Sequence, residues 1–188
     1  MKILKKDVLK LRPTQFSLGL EEVDSKVQKL LKMTPKELKK HQDSKTIPVV
    51  LGPNKEPFMV DHHHAARACW EVGIKKVKVV VIADFSNMSV NKFWRAMVER
   101  KWVYLHDQFG TFRSFQHDML PHDIRGLADD PYRSLAWAVK EAGGFPKSDI
   151  PFFEFAWANL FRNKIEPKLV RNNFELATRK AIRLAKKR

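Results

Sequence analysis

An aspartate and three consecutive histidines interrupt the apolar run Phe58-Met59-Val60 and lead into the alanine-rich Ala65-Ala66-Arg67-Ala68. Neutral imidazoles beside a carboxylate suit a divalent metal, and the near-neutral pKa of an imidazole suits proton transfer. If a helix opens here, its free backbone N–H groups also favour a bound anion. Phosphate or metal chemistry is therefore the reaction class these residues fit. Successive side chains in a helical turn point about 100° apart, so two of the three histidines are expected to face a cleft. Spacing alone leaves open which two those are. Asp61 has three roles open to it: metal ligand, partner fixing an imidazole tautomer, or helix N-cap.

Six of the seven histidines fall in two places, since His106, His117 and His122 are each followed by aspartate in one irregular segment. Such concentration predicts that the segment folds over the corner. The expected metal ligands are then Asp61, His62, His64, His117 and Asp118, holding Mg²⁺, Mn²⁺ or Zn²⁺. Arg133 lies near a helix N-terminus, where its charge gains nothing from the helix dipole and must meet an acid or a phosphate. Arg179, Lys180 and Arg183 lie on the outer face of the last helical stripe and form a candidate phosphate-tracking surface.

The elements that must position these residues are legible from pattern. Thr46 to Leu51, the turn Gly52-Pro53-Asn54-Lys55-Glu56-Pro57 and Phe58 to Val60 read as strand, turn and strand, and Ala65 to Val72 as a helix stopped by Gly73. Val8 to Leu11 reads as a short strand and Glu21 to Met33 as a helix. A second helix opens at the capping box Thr34-Pro35-Lys36-Glu37. Val77 to Ile82, nearly all apolar, reads as a strand buried on both sides. Further helices are expected over Val90 to Arg100, from Asp130-Pro131, over Phe152 to Phe161, and from Leu169 onward. His106 to Gly126 is too rich in breakers for one long element.

At these residues the chain resembles the ParB-like nuclease domains of the ParB/sulfiredoxin fold. The resemblance is carried by Leu11-Arg12-Pro13-Thr14-Gln15, by Asp61-His62-His63-His64, by Asp130-Pro131-Tyr132-Arg133-Ser134-Leu135-Ala136-Trp137 and by Phe152-Phe153-Glu154-Phe155-Ala156-Trp157-Ala158. It implies an α+β fold, a small mixed sheet with flanking helices over residues 1–84, followed by a mainly helical extension over 85–188 packed on it as one unit. In relatives the same corner reads Gly-Glu-Arg-Arg or Gly-Cys-His-Arg and holds nucleotide phosphates; the resemblance thereby points to His63 and His64, nearest the relatives' phosphate-binding arginines, as the catalytic pair, with Asp61 as the third catalytic candidate. Here Asp61 replaces the glycine and His64 the last arginine, so a titratable imidazole stands where the relatives have a bidentate guanidinium. Sulfiredoxin chemistry is disfavoured, because its cysteine would fall at His62. Kinase-like members use a glutamate from the first helix as a base, which points to Glu22; favourable placement at a helix N-terminus explains that residue as well.

Composition bounds the partners. The 188 residues are 44% hydrophobic with 13 Phe and 5 Trp, enough for one folded domain, and 36 Lys+Arg against 21 Asp+Glu give a net charge of +15. Such a surface attracts polyanions, nucleic acid first and acidic membrane second. The single Cys69 rules out an internal disulfide. No run approaches the ~20 apolar residues of a membrane span, and no signal sequence is evident, so a cytoplasmic location is expected; the mature form of an exported protein would read the same way. No protein partner can be inferred.

The leading expectation is a metal-assisted phosphodiesterase acting on nucleic acid, its nuclease character implied by the resemblance. A nucleotide-binding phosphotransferase or NTPase using the same corner is the second reading. The third is a non-enzymatic DNA-binding module with structural histidines.

Overall fold

The computed structural model describes residues 2–113 and 119–187. Its four-stranded mixed sheet has the order β1-β5-β3-β4, formed by β1 (Lys2–Asp7), β3 (Ile47–Leu51), β4 (Pro57–Met59) and β5 (Lys76–Asp84). β1 and β5 are antiparallel, β5 and β3 parallel, and β3 and β4 antiparallel. A two-residue strand β2 (Ser17–Leu18) pairs in parallel with β6 (Ala128–Asp129), tying the first helix to the second half of the chain.

Eight helices surround the sheets among the described residues: α1 (Leu20–Leu31), α2 (Pro35–Ser44), α3 (His63–Glu71), α4 (Val90–Glu99), α5 (Pro131–Glu141), α6 (Phe153–Arg162), α7 (Pro167–Asn172) and α8 (Phe174–Ala185). The capping box of α2 forms as its sequence requires, with Thr34 Oγ1 accepting from Glu37 N–H and Glu37 Oε2 accepting from Thr34 N–H. Asp130 caps α5 by accepting the N–H groups of Tyr132 and Arg133. Asn173 separates α7 from α8 and caps the latter, which is why one apolar stripe divides into two helices.

Three apolar clusters fill the interior. One face of the sheet packs Val49, Met59, Val77 and Val79 against α1 and α3, and Ile124 and Leu127 join it from the later chain. On the opposite face, Val50 and Phe58 meet Phe93, Trp94 and Met97 of α4. A helical cluster built on Leu135, Val139, Phe161 and Ala177 completes the molecule. Burying each large side chain contributes about 1.5–3 kcal/mol relative to exposure, so these shared clusters tie residues before β5 to residues after it. No helix among the described residues is long and apolar enough to cross a membrane.

The α+β architecture agrees with expectation, with two local differences. The first strand spans Lys2–Asp7, and Val8–Lys10 is a 3₁₀ turn because the Asp7 carboxylate accepts Leu9 N–H and stops the strand. The strand sealed on both faces is β3, through Val49 and Val50, rather than β5, because α4 covers β3 and leaves Ile82 of β5 partly open.

Candidate active site

The corner between β4 and α3 is built by a backbone clamp. Arg12 N–H donates to Pro57 O, Met59 N–H to Arg12 O, and Thr14 Oγ1 to Met59 O at 2.6 Å, so Leu11-Arg12-Pro13-Thr14-Gln15 lies along β4 and fixes its end. The chain then turns through His62, which adopts the left-handed conformation at φ 63° and leads into α3 without a side-chain cap. Asp61 Oδ1 accepts His62 N–H at 2.6 Å. This turn sets the direction of all three imidazoles.

His63 and His64 turn inward, being 3% and 8% exposed. His63 Nε2 accepts Thr14 N–H at 3.2 Å, and His64 Nε2 accepts Gly19 N–H at 3.0 Å. Burial pushes the His63 pKa down to about 4, with Asp61 opposing. His64 lies well below its usual value through burial and then the Arg133 charge. Both rings are therefore neutral at pH 7, with Nε2 engaged as an acceptor and the ring proton on Nδ1. Expected to act as the catalytic pair, they border the cleft and serve in this geometry as latches, holding the N-terminal segment and the start of α1 against α3.

His62 has the opposite character. Its side chain is 47% exposed, and Nδ1 lies 2.9 Å from Thr46 O, which places the proton on Nδ1. Nε2 is left as the available nitrogen, 3.8 Å from Asp61 Oδ2.

Behind the histidines lies an ion network. Arg133 Nη2 stands 3.1 Å from Glu22 Oε2 and is paired with Glu154, which also receives Lys140. His64 Nε2 is 3.6 Å from the same Glu22 oxygen. Arg133 is 5% exposed, and its Nε and Nη1 have no hydrogen-bond partner. The arginine expected to meet an acid or a phosphate thus meets two acids and retains unsatisfied donors.

These elements border one cleft of about 780 Å³. Its rim carries Lys101, Arg133, Lys140 and Lys147 against Asp61, Asp149 and Glu154, so four cations face three carboxylates. Among the described residues, three of the five non-glycine residues at positive φ line it: His62, Lys101 at 54° and Phe152 at 60°. Left-handed conformations cost such residues about 1 kcal/mol or more and concentrate at functional sites.

Among the described residues, none of His106, Asp107, His122 and Asp123 lines this cleft. Asp107 pairs with Arg113 and Asp123 with Arg125, while the His106 ring stacks on Tyr104. His117 and Asp118 lie outside the described residues. Arg179, Lys180 and Arg183 sit on α8 and do not border the cleft. No group of three His, Cys, Asp or Glu side chains suited to a metal occurs among the described residues, and His64 Nε2 is occupied by Gly19. Of the expected ligands Asp61 is the carboxylate that remains at the cleft; one carboxylate suits a largely hydrated ion such as Mg²⁺, whereas an imidazole suits softer metals.

Sequence reading missed Lys101, Lys140, Phe152 and Glu154. Of these only Glu154 carried a signal: a lone carboxylate in a strongly aromatic helix must find a cation.

The solved structure of protein Atu1540 from Agrobacterium tumefaciens is similar to this chain, with a TM-score of 0.89 and 34% identity over 98% of this chain and 92% of that one. No curated protein matches the sequence. Residues 4–163 match the family described as "Putative ParB-like nuclease". That match takes in the backbone clamp, the histidine corner and α6, and by it the chain belongs to the ParB-like nuclease family.

Proposed function

We propose that the cleft hydrolyses phosphodiester bonds of nucleic acid, with the reacting phosphate at the N-terminus of α3 and His62 as the proton-transfer residue. The observation that carries this reading is the state of His62: anchored through Nδ1 to Thr46 O, with Nε2 available beside Asp61 in the cleft. The uncapped first turn of α3 offers N–H groups to non-bridging phosphate oxygens, and its dipole favours their charge. Water attacks phosphorus as His62 Nε2 takes its proton; the P–O bond to the leaving nucleotide breaks, and that oxygen is protonated from solvent. Asp61 stabilises the imidazolium that forms. A divalent ion held by Asp61 would supply Lewis-acid polarisation of the phosphate. His63 and His64 position the turn. The basic surface, α8 included, draws the polyanion in.

The test is cleavage of plasmid and single-stranded nucleic acid by metal-stripped protein, alone and after adding Mg²⁺, Mn²⁺ or Zn²⁺, beside His62→Ala and Asp61→Asn. Loss of general acid–base catalysis lowers rates about 10²–10⁴-fold, and His62→Ala is expected in that range. Equal cutting by parent and His62→Ala removes His62 from the mechanism. If the parent is inert under every condition, the hydrolytic reading fails.

A further inference from the structure

Two aromatic residues of the cleft bear on which form of nucleic acid enters it. Trp102 follows the left-handed Lys101, and Phe152 is itself left-handed. Both rings line the cleft and are half-buried. Trp102 is backed by Phe85, stacked at 6.2 Å, and by Arg100, 5.7 Å from its ring. Phe152 is backed by Tyr104, with ring centroids 5.1 Å apart. Two supported aromatic rings, each at or beside a strained backbone position, are thereby set in a cavity that also holds the proton-transfer corner.

Resting on the phosphodiesterase reading, we infer that the cleft takes a single-stranded segment, with an unstacked base lying on Phe152 while the adjoining phosphate reaches the start of α3. Two further observations agree. A volume of about 780 Å³ falls in the range of small-ligand pockets, about 300–1,000 Å³, and suits a nucleotide or two. The near balance of cations and carboxylates on the rim means that phosphate neutralisation supplies little of the affinity there. Stacking must supply it, because every base has a π-face while a duplex hides those faces. Binding in the cleft therefore has a shallow salt dependence, set by one or two phosphate contacts at a slope of about −0.7 each for single strands. Attraction to the outer basic surface is steeper.

The experiment is fluorescence anisotropy with labelled eight-nucleotide probes, one DNA and one RNA of the same sequence, and a hairpin duplex as the third probe. It is run without divalent metal at several salt concentrations. Phe152→Gly removes the ring at a φ that glycine accepts, and Phe152→Leu keeps apolar packing on Tyr104 without a π-face. At the higher salt concentrations both variants are expected to bind the single strand at least about fivefold more weakly, the lower end of one base–aromatic stack. The duplex is expected to be bound more weakly than the single strand and equally by parent and variants. Equal affinity for duplex and single strand, or unchanged single-strand binding by both variants, overturns the inference. Cleavage that depends on His62 but shows no single-strand preference leaves the hydrolytic reading standing and removes this one. Phe152-dependent binding of single strands without cleavage does the reverse.

Discussion

Gly19 donates its backbone N–H to His64 Nε2 at 3.0 Å, joining the start of α1 to the first turn of α3 through an imidazole that burial keeps neutral. Adjacent histidines in one sequence triplet thus have different work, and mutation separates them. His64→Ala leaves the Gly19 N–H buried without an acceptor, at a cost of about 1–3 kcal/mol, and His63→Ala does the same to Thr14. His62→Ala is expected to cost about 1 kcal/mol, for the exposed hydrogen bond to Thr46 O and the left-handed backbone, while lowering turnover about 10²–10⁴-fold. Chemical denaturation of the three variants beside a cleavage assay checks this dissociation.

Acid sensitivity follows from His63. With its folded pKa at about 4 and an unfolded value near ~6.5, the unfolded chain binds a proton that the folded chain refuses. The stability associated with neutral His63 is fully present above pH ~6.5 and declines as pH falls toward ~4, by on the order of 3 kcal/mol. Subtracting the pH profile of His63→Gln from that of the parent isolates the effect. Identical profiles between pH ~4 and ~6.5 would contradict it.

Arg133 neutralises Glu22 and Glu154 from inside the protein. Removing one member of a buried pair typically costs about 3–5 kcal/mol, so Arg133→Met is expected to be among the most damaging single changes. Arg133→Lys should recover part of the loss, since the single nitrogen Nη2 faces both carboxylates and an ammonium keeps that charge on a more flexible stem. A double-mutant cycle with Glu22→Gln should show coupling, and additive losses would indicate that the pair does not interact.

The cations on the outer face of α8 make a different kind of prediction. Replacing Arg179, Lys180 and Arg183 with alanine should leave stability nearly unchanged and reduce the salt slope of duplex binding, by about 0.9 for each phosphate no longer neutralised. Turnover of a short single-stranded substrate should not change. Titrations between about 50 and 200 mM salt span the range in which such slopes are read.

The order of elements could be read because each obeys a local rule: the capping box at Thr34, the Asp130-Pro131 start of α5, the turn between β3 and β4. The family-bearing Leu-Arg-Pro-Thr-Gln stretch was legible as a motif, though not as the clamp along β4, because main-chain hydrogen bonds leave little trace in side-chain identity. The histidine triplet was legible as a cluster at the corner, but the direction of each ring was not. The resemblance pointed to His63 and His64 as the pair at the cleft; both line it, but their Nε2 atoms accept from Thr14 and Gly19, and the left-handed φ of His62 leaves that ring the more accessible one. Nor could local pattern pair Glu22 with Arg133 or bring Lys101 and Phe152 to one cavity, since those relations depend on how distant segments dock.

The pairing of Ser17 with Ala128 in the two-residue parallel sheet has a consequence for the order in which the protein is made. Pairings so far apart along the chain are slow to form and must wait for their second partner. At about 5–20 residues per second of synthesis, Asp61 and His62 emerge well before Arg133, Phe152 and Glu154. A growing chain therefore carries the histidine corner without the walls that α5 and α6 supply, and the enclosed cleft arises only once α6 has been made and docked.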